Sequence, residues 1–150
     1  MSVETILNYV KVSEKISTSG QPNADQIVEI AESGFSVIIN LAMPDSTDAI
    51  EREDFIAAEN GMKYFHIPVP FESPNVKHLE LFIKLITLLE NEKIWVHCAK
   101  NYRVSAFMYH YLVKVLGKTE AEAKNKIFNN WQPNTIWQNF LSITVEKVAL

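Results

Sequence analysis

The stretch "KIWVHCAKNYRVSAFMYHYLVKVLG", residues 93–117, changes its hydrophobic period in the middle, and that change decides the fold. Residues 93–98 are an apolar run of the kind a buried strand needs. Val104, Phe107, Met108, Tyr111, Leu112, Val115 and Leu116 then recur at intervals of three and four. The spacing predicts a strand ending at Cys98, a short loop, and a buried helix from about Arg103 to near Gly117. A loop that leaves the carboxyl end of a strand and enters a helix aims several backbone N–H groups at one point, where the helix dipole also favours negative charge. A cysteine at the base of such a loop is favoured as the thiolate, and an arginine at its far end can fold back as a planar clamp. A lone cysteine is otherwise most often a small buried side chain. Here His97 before it, the hydroxyl of Ser105 beyond it and the switch from strand to helix favour a reactive or anion-binding Cys98.

Working outward, Val- and Ile-rich segments alternate with helix-period segments, the pattern of an α/β domain. Residues 36–43 and 62–69 read as two further buried strands, with a weaker opening strand around Val10 to Ile16. Asn23 or Ser19 can cap a helix that carries Ile27, Ile30 and Ala31 and stops at Gly34. A second helix, near 47–60, stops at Gly61. Leu79, Phe82, Ile83, Ile86 and Leu89 line one face of a third. After Gly117, "TEAEAKNKIFNNW" and "PNTIWQNFLSITVEKVAL" read as closing helices that start at Thr119 and Asn134. The expectation is one domain over residues 1–150, with a mainly parallel sheet of about four strands flanked by helices.

The 150 residues suit a single core, and the 47% hydrophobic and 21% charged fractions are those of a globular chain. A formal charge of −4 argues against nucleic acid as the partner. The longest apolar stretch, "LFIKLITLLE", is interrupted by Lys84 and too short to span a bilayer, and the start lacks a signal-type core, so a cytoplasmic protein without a membrane partner is expected. One cysteine cannot form an internal disulfide. His66, His78 and His110 are scattered, so neither a metal nor another cofactor is expected. Trp95, Trp131 and Trp137 read first as core aromatics, Trp131 with a possible place at a substrate mouth.

"VHCAKNYRVSAFMYHYL" resembles the signature of the cysteine-dependent protein tyrosine and dual-specificity phosphatases, in which His-Cys, a loop, Arg and Ser or Thr precede a buried helix. "STSGQPNADQIVEIAESGFSVIINL", "YFHIPVPFESP" and "WQPNTIWQNFL" are similar to the corresponding phosphatase segments. In particular the chain resembles the bacterial phosphatase-like family also found fused to metallo-β-lactamase-like hydrolases. The resemblance implies a phosphatase-like fold and a phosphorylated small molecule or phosphoprotein as substrate. By it Cys98 attacks phosphorus, the amides of Ala99, Lys100, Asn101 and Tyr102 hold the oxygens together with Arg103, and Ser105 assists breakdown of the phosphocysteine. Pro133 and Asn134 brace the loop, and His97 supports it.

Two departures keep other chemistry open. The phosphatase pattern has five residues between Cys and Arg, whereas this chain has four, Ala99 to Tyr102, and no glycine among them. Asn101 is the residue best able to take a left-handed backbone there. The expected aspartate acid after the "HIPV" strand is missing, and Glu72 is the nominee, with Asp45 behind it. A four-residue loop is common in rhodanese-type sulfurtransferases, where the cysteine carries a persulfide and the partner is a sulfane-sulfur donor. A module that binds phosphate without turnover is the third reading.

Overall fold

The computed structural model describes residues 2–127, 129–144 and 147–150. A short 3-10 turn at Val3–Thr5 leads into β1 (Val10–Lys11) and β2 (Ile16–Ser19). Then follow α1 (Ala24–Glu32), β3 (Val37–Asn40), α2 (Glu53–Glu59), β4 (Lys63–His66), α3 (Val76–Leu88), β5 (Ile94–His97), α4 (Tyr102–Lys114), α5 (Glu120–Lys124) and α6 (Thr135–Leu141).

The strands lie in the order β1-β2-β5-β3-β4. β2, β5, β3 and β4 are parallel, Ile94 pairing with Ile16 on one side and Val37 on the other; β1 is antiparallel to β2. The expected opening strand is therefore a hairpin. Ser13 Oγ accepts from the amides of Lys15 and Ile16 and turns the chain between the two short strands.

β5 is central, so all four of its residues are buried. Side-chain alternation sends Val37, Ile39 and Val96 to one face, against Leu79, Phe82, Val104 and Phe107 of α3 and α4. Ile38 and Trp95 point to the other face, against Ile27, Ile30 and Ala57 of α1 and α2. The result is a three-layer α/β domain with β5 and α4 at its centre.

Local chemistry sets the helix ends. Asn23 caps α1 in a reciprocal capping box with Gln26, and Gly34, at φ +93°, closes it. α2 starts at Glu53 and not near 47, because Asp48 and Arg52 adopt positive φ and interrupt any earlier turn. Val115 and Leu116 were expected in the core but lie beyond the end of α4, 37% and 48% exposed, before Gly117 at φ +68°. Thr119 and Asn134 cap α5 and α6. Both helices are shorter than the sequence suggests; parts of the expected spans, at residues 128, 145 and 146, lie outside the described residues.

Candidate active site

Cys98 follows β5 directly and Arg103 stands in the first turn of α4, so the four residues between them span the strand-to-helix gap. Three consecutive carbonyls of this loop are tied backwards. His97 Nδ1 lies 3.1 Å from the Cys98 oxygen, the Gln21 amide donates to the Ala99 oxygen at 3.0 Å, and Asn8 Nδ2 donates to the Lys100 oxygen at 2.9 Å. In a trans peptide the N–H of the next residue points opposite to the C=O. The amides of Ala99, Lys100 and Asn101 are thus turned away from these anchors, as an anion cradle requires.

Asn101 completes the turn at φ +70°, the left-handed conformation that its side chain tolerates. Its Nδ2 donates to the Asn8 oxygen at 2.7 Å and to Thr18 Oγ1 at 3.1 Å, so Asn8 and Asn101 clamp each other across the loop. Gly20 packs so closely that a Cβ there would stand 2.6 Å from the Ala99 oxygen. No side chain fits.

In front of the loop is a cavity of about 590 Å³ lined by residues from three loops. Cys98, Ala99, Lys100, Tyr102 and Arg103 form its floor and one wall. The β3–α2 loop contributes Asp45, Ser46 and Thr47, and the β4–α3 loop contributes Phe71 and Glu72. Cys98 has no exposed surface: it packs into the core and stands among the residues that line the cavity.

Arg103 is 6% exposed. Nη1 donates to the Val69 oxygen at 2.9 Å, Nη2 reaches Ser46 Oγ at 3.5 Å, and the buried Nε has no partner among the described residues. The guanidinium carbon lies 5.7 Å from the Phe71 ring centre. One cation therefore ties both cavity-forming loops to α4.

The rims are braced in turn. Trp137 Nε1 donates to the Phe71 oxygen at 2.9 Å, and Trp131 stacks on Tyr102 with centroids 5.3 Å apart. Asn40 Oδ1 accepts from the Ala42 amide, and His66 Nε2 bonds the Ala42 oxygen, which fixes the start of the β3–α2 loop.

The structure brings Cys98, Ala99, Lys100, Tyr102, Arg103 and Glu72 to this cavity, together with Asp45, whereas the side chain of Asn101 is fully buried and does not line it. Glu72 and Asp45 are exposed at its edge. Ser105 is buried one turn into α4. Asn134 is exposed and caps α6, so its reach toward the site runs through Trp137, whose amide it binds. His66, His78 and His110 stand on β4, α3 and α4.

Sequence reasoning missed Asn8, Gly20, Gln21, Ser46 and Glu53. Gly20, directly after a strand, carried a signal; the others carried none, since their partners are distant in the chain. Glu53 is 5% exposed and faces His97. Burial alone would push its carboxyl up, but the His97 ring and the Gln21 hydrogen bond outweigh that and leave it below the ordinary carboxylate range.

Residues 12–116 match the family model described as Tc-R-P, polymorphic toxin system, DSP-PTPase phosphatase, and the chain belongs to this family. A beta-lactamase hydrolase-like protein of Xylella fastidiosa is 30% identical over 114 residues, 73% of this chain and 26% of that protein. The chain thus spans about a quarter of that relative's length. A candidate phosphatase (DUF442) from Shewanella putrefaciens CN-32 superposes with a TM-score of 0.83 at 30% identity, over 93% of this chain and 92% of that one. Tk-PTP in its active form shares the fold, with a TM-score of 0.76 at 18% identity over 94% and 98% of the two chains. The family and the fold are those of cysteine-dependent phosphatases.

Proposed function

We propose that the protein hydrolyses phosphoesters through a phosphocysteine on Cys98. The observation that carries this reading is the set of three backward-tied carbonyls, which aims consecutive loop amides toward a cavity floored by Cys98 and flanked by Arg103. Such donors, fixed before the reaction, stabilise charge that grows on the equatorial phosphoryl oxygens.

In the first step the Cys98 thiolate attacks phosphorus. The P–O bond to the leaving group breaks, and the departing oxygen takes a proton from a carboxyl at the edge, Glu72 or Asp45. In the second step water attacks phosphorus, its proton passes to the same carboxylate, and the S–P bond breaks to return the thiolate. Ser105 assists that departure. The buried Arg103 Nε is a further donor for the oxygens. The substrate is a phosphorylated small molecule or a phosphoprotein.

One observation favours a second reading: four residues between Cys98 and Arg103, the spacing common in sulfurtransferases. There Cys98 takes the outer sulfur of thiosulfate, sulfite departs, and cyanide removes that sulfur as thiocyanate. The test offers p-nitrophenyl phosphate, and separately thiosulfate with cyanide, to the protein and to Cys98→Ser. Nitrophenol release that depends on Cys98 supports hydrolysis, and thiocyanate formation supports sulfur transfer. Silence in both assays, with inorganic phosphate still bound, supports an anion-binding module.

A further inference from the structure

Asparagine precedes α1, α3, α4 and α6, and at α4 its side chain is used differently. Asn23, Asn75 and Asn134 stand in extended backbone, and the side-chain oxygen of each accepts from an amide of the first turn. The donors are Gln26 at 2.8 Å, Lys77 at 2.9 Å and Trp137 at 3.1 Å. Asn101 occupies the same place before α4 but is left-handed, at φ +70° and ψ 6°, and its side chain caps no amide of the helix. Nδ2 is drawn the other way, to the Asn8 oxygen and to Thr18 Oγ1. Oδ1, the atom a cap would use, is buried with no partner among the described residues. A buried acceptor left unpaired is costly and persists only where its surroundings force it.

The ties that hold Asn101 off the helix also hold the loop. Asn8 Nδ2 binds the Lys100 oxygen, so the peptide before Asn101 is fixed as well, and Thr18 Oγ1 in turn donates to the Val10 oxygen at 3.3 Å. A capping side chain accepts from the second or third amide of its helix, here that of Arg103 or Val104. Those are also amides that a helix N-terminus offers to an anion. The two uses exclude each other. We infer that Asn8 and Thr18 are positioning residues: by keeping the Asn101 side chain behind the loop, they leave the Arg103 and Val104 amides to the phosphoryl oxygens, where Asn101 would otherwise cap α4. This rests on the reading of the loop after Cys98 as an anion site. The left-handed backbone at Asn101 belongs to the same arrangement, since a capping asparagine takes the extended conformation that Asn23, Asn75 and Asn134 show.

The discriminating experiment releases Asn101 and then removes its side chain. Thr18→Val deletes one acceptor of Asn101 Nδ2 and keeps a β-branched residue in the strand; Asn8→Gly deletes the tie to Lys100 and suits the positive φ at that position. In the doubly substituted protein the affinity for inorganic phosphate, measured by titration calorimetry, is expected to fall about fivefold, the worth of an ordinary capping bond. Adding Asn101→Gly is expected to restore it, because glycine adopts the left-handed backbone and has nothing to cap with. Ties that serve stability alone predict the opposite, since Asn101→Gly removes the remaining bond to Asn8. An affinity that does not fall, or that falls and is not restored by Asn101→Gly, overturns the inference and leaves the anion site intact. A wild type that binds no phosphate overturns the anion site and the inference with it.

Should the variants fail to fold, the unmodified protein decides. Inorganic phosphate is expected to shift the backbone amide resonances of Arg103 and Val104 together with those of Lys100 and Asn101. Shifts confined to the loop, with Arg103 and Val104 unmoved, would overturn the inference.

Discussion

Gly20 meets the anion loop at the level of the backbone, where a methyl group would have to displace the Ala99 oxygen or the strand end that carries the glycine. Gly20→Ala is expected to lose about 1–3 kcal/mol in urea unfolding, the usual cost of forcing atoms into a packed site. Turnover of p-nitrophenyl phosphate should fall with it, because the displaced carbonyl is one of the three that orient the amides. Arg103 makes a different demand. Its planar fork bonds Val69, approaches Ser46 and still has Nε to offer, an arrangement that lysine, with one point of charge, does not reproduce. Arg103→Lys should therefore lower kcat/KM for p-nitrophenyl phosphate by about 10²-fold or more, with the loss mainly in kcat. A change in KM alone would assign Arg103 to holding the loops.

Among the elements, α4 and α6 couple the site to the rest of the molecule. Trp137 of α6 donates to the Phe71 oxygen and so holds the loop that carries Glu72. Trp137→Phe deletes the donor together with part of a fully buried ring; a stability loss of about 2 kcal/mol is expected, with a several-fold fall in kcat if the loop positions the acid. Equal kcat in the two proteins would detach that loop from the chemistry. Lower in the same interface, His110 of α4 bonds the Phe140 oxygen at 2.8 Å and Lys114 donates to its Nδ1. Burial, with the Lys114 charge adding to it against the Phe140 hydrogen bond, depresses the imidazole to about 4 from an ordinary 6.5. The unfolded chain then binds the proton more readily. Stability from this contact is complete above about pH 6.5 and drains away as the pH falls toward about 4, by up to about 3 kcal/mol. Denaturant titrations at pH 7 and pH 4.5 measure it, and His110→Gln should flatten that part of the profile.

At the scale of the whole molecule, four parallel strands place the ends of β2, β3 and β5 side by side, so Ser19, Asn40 and His97 stand in one row beneath the cavity. The core of the parallel sheet and α4 were legible because β3 and β5, buried on both faces, leave continuous apolar runs, while α4, though buried from Arg103 to Leu112, repeats its large apolar side chains at intervals of three and four. Cys98 and Arg103 were legible for the same reason: they bracket the point where one period replaces the other. What the sequence concealed depends on contacts between distant residues. Asn8 and Asn101 clamp each other across some ninety positions, and Glu53 reaches His97 from a helix whose start is set by backbone conformations at Asp48 and Arg52 that no periodicity announces. The hairpin at β1 and β2 was hidden by its shortness, since two residues of strand carry no alternation.

The central claim is that Cys98 becomes phosphorylated during turnover. Mixing the protein with p-nitrophenyl phosphate, quenching within milliseconds to seconds and mapping the adduct by mass spectrometry tests it directly. A phosphoryl group on Cys98 that forms with the nitrophenol burst and decays with phosphate release is the predicted result. Nitrophenol release in which the phosphoryl group never resides on Cys98, or which persists in Cys98→Ser, would contradict the account.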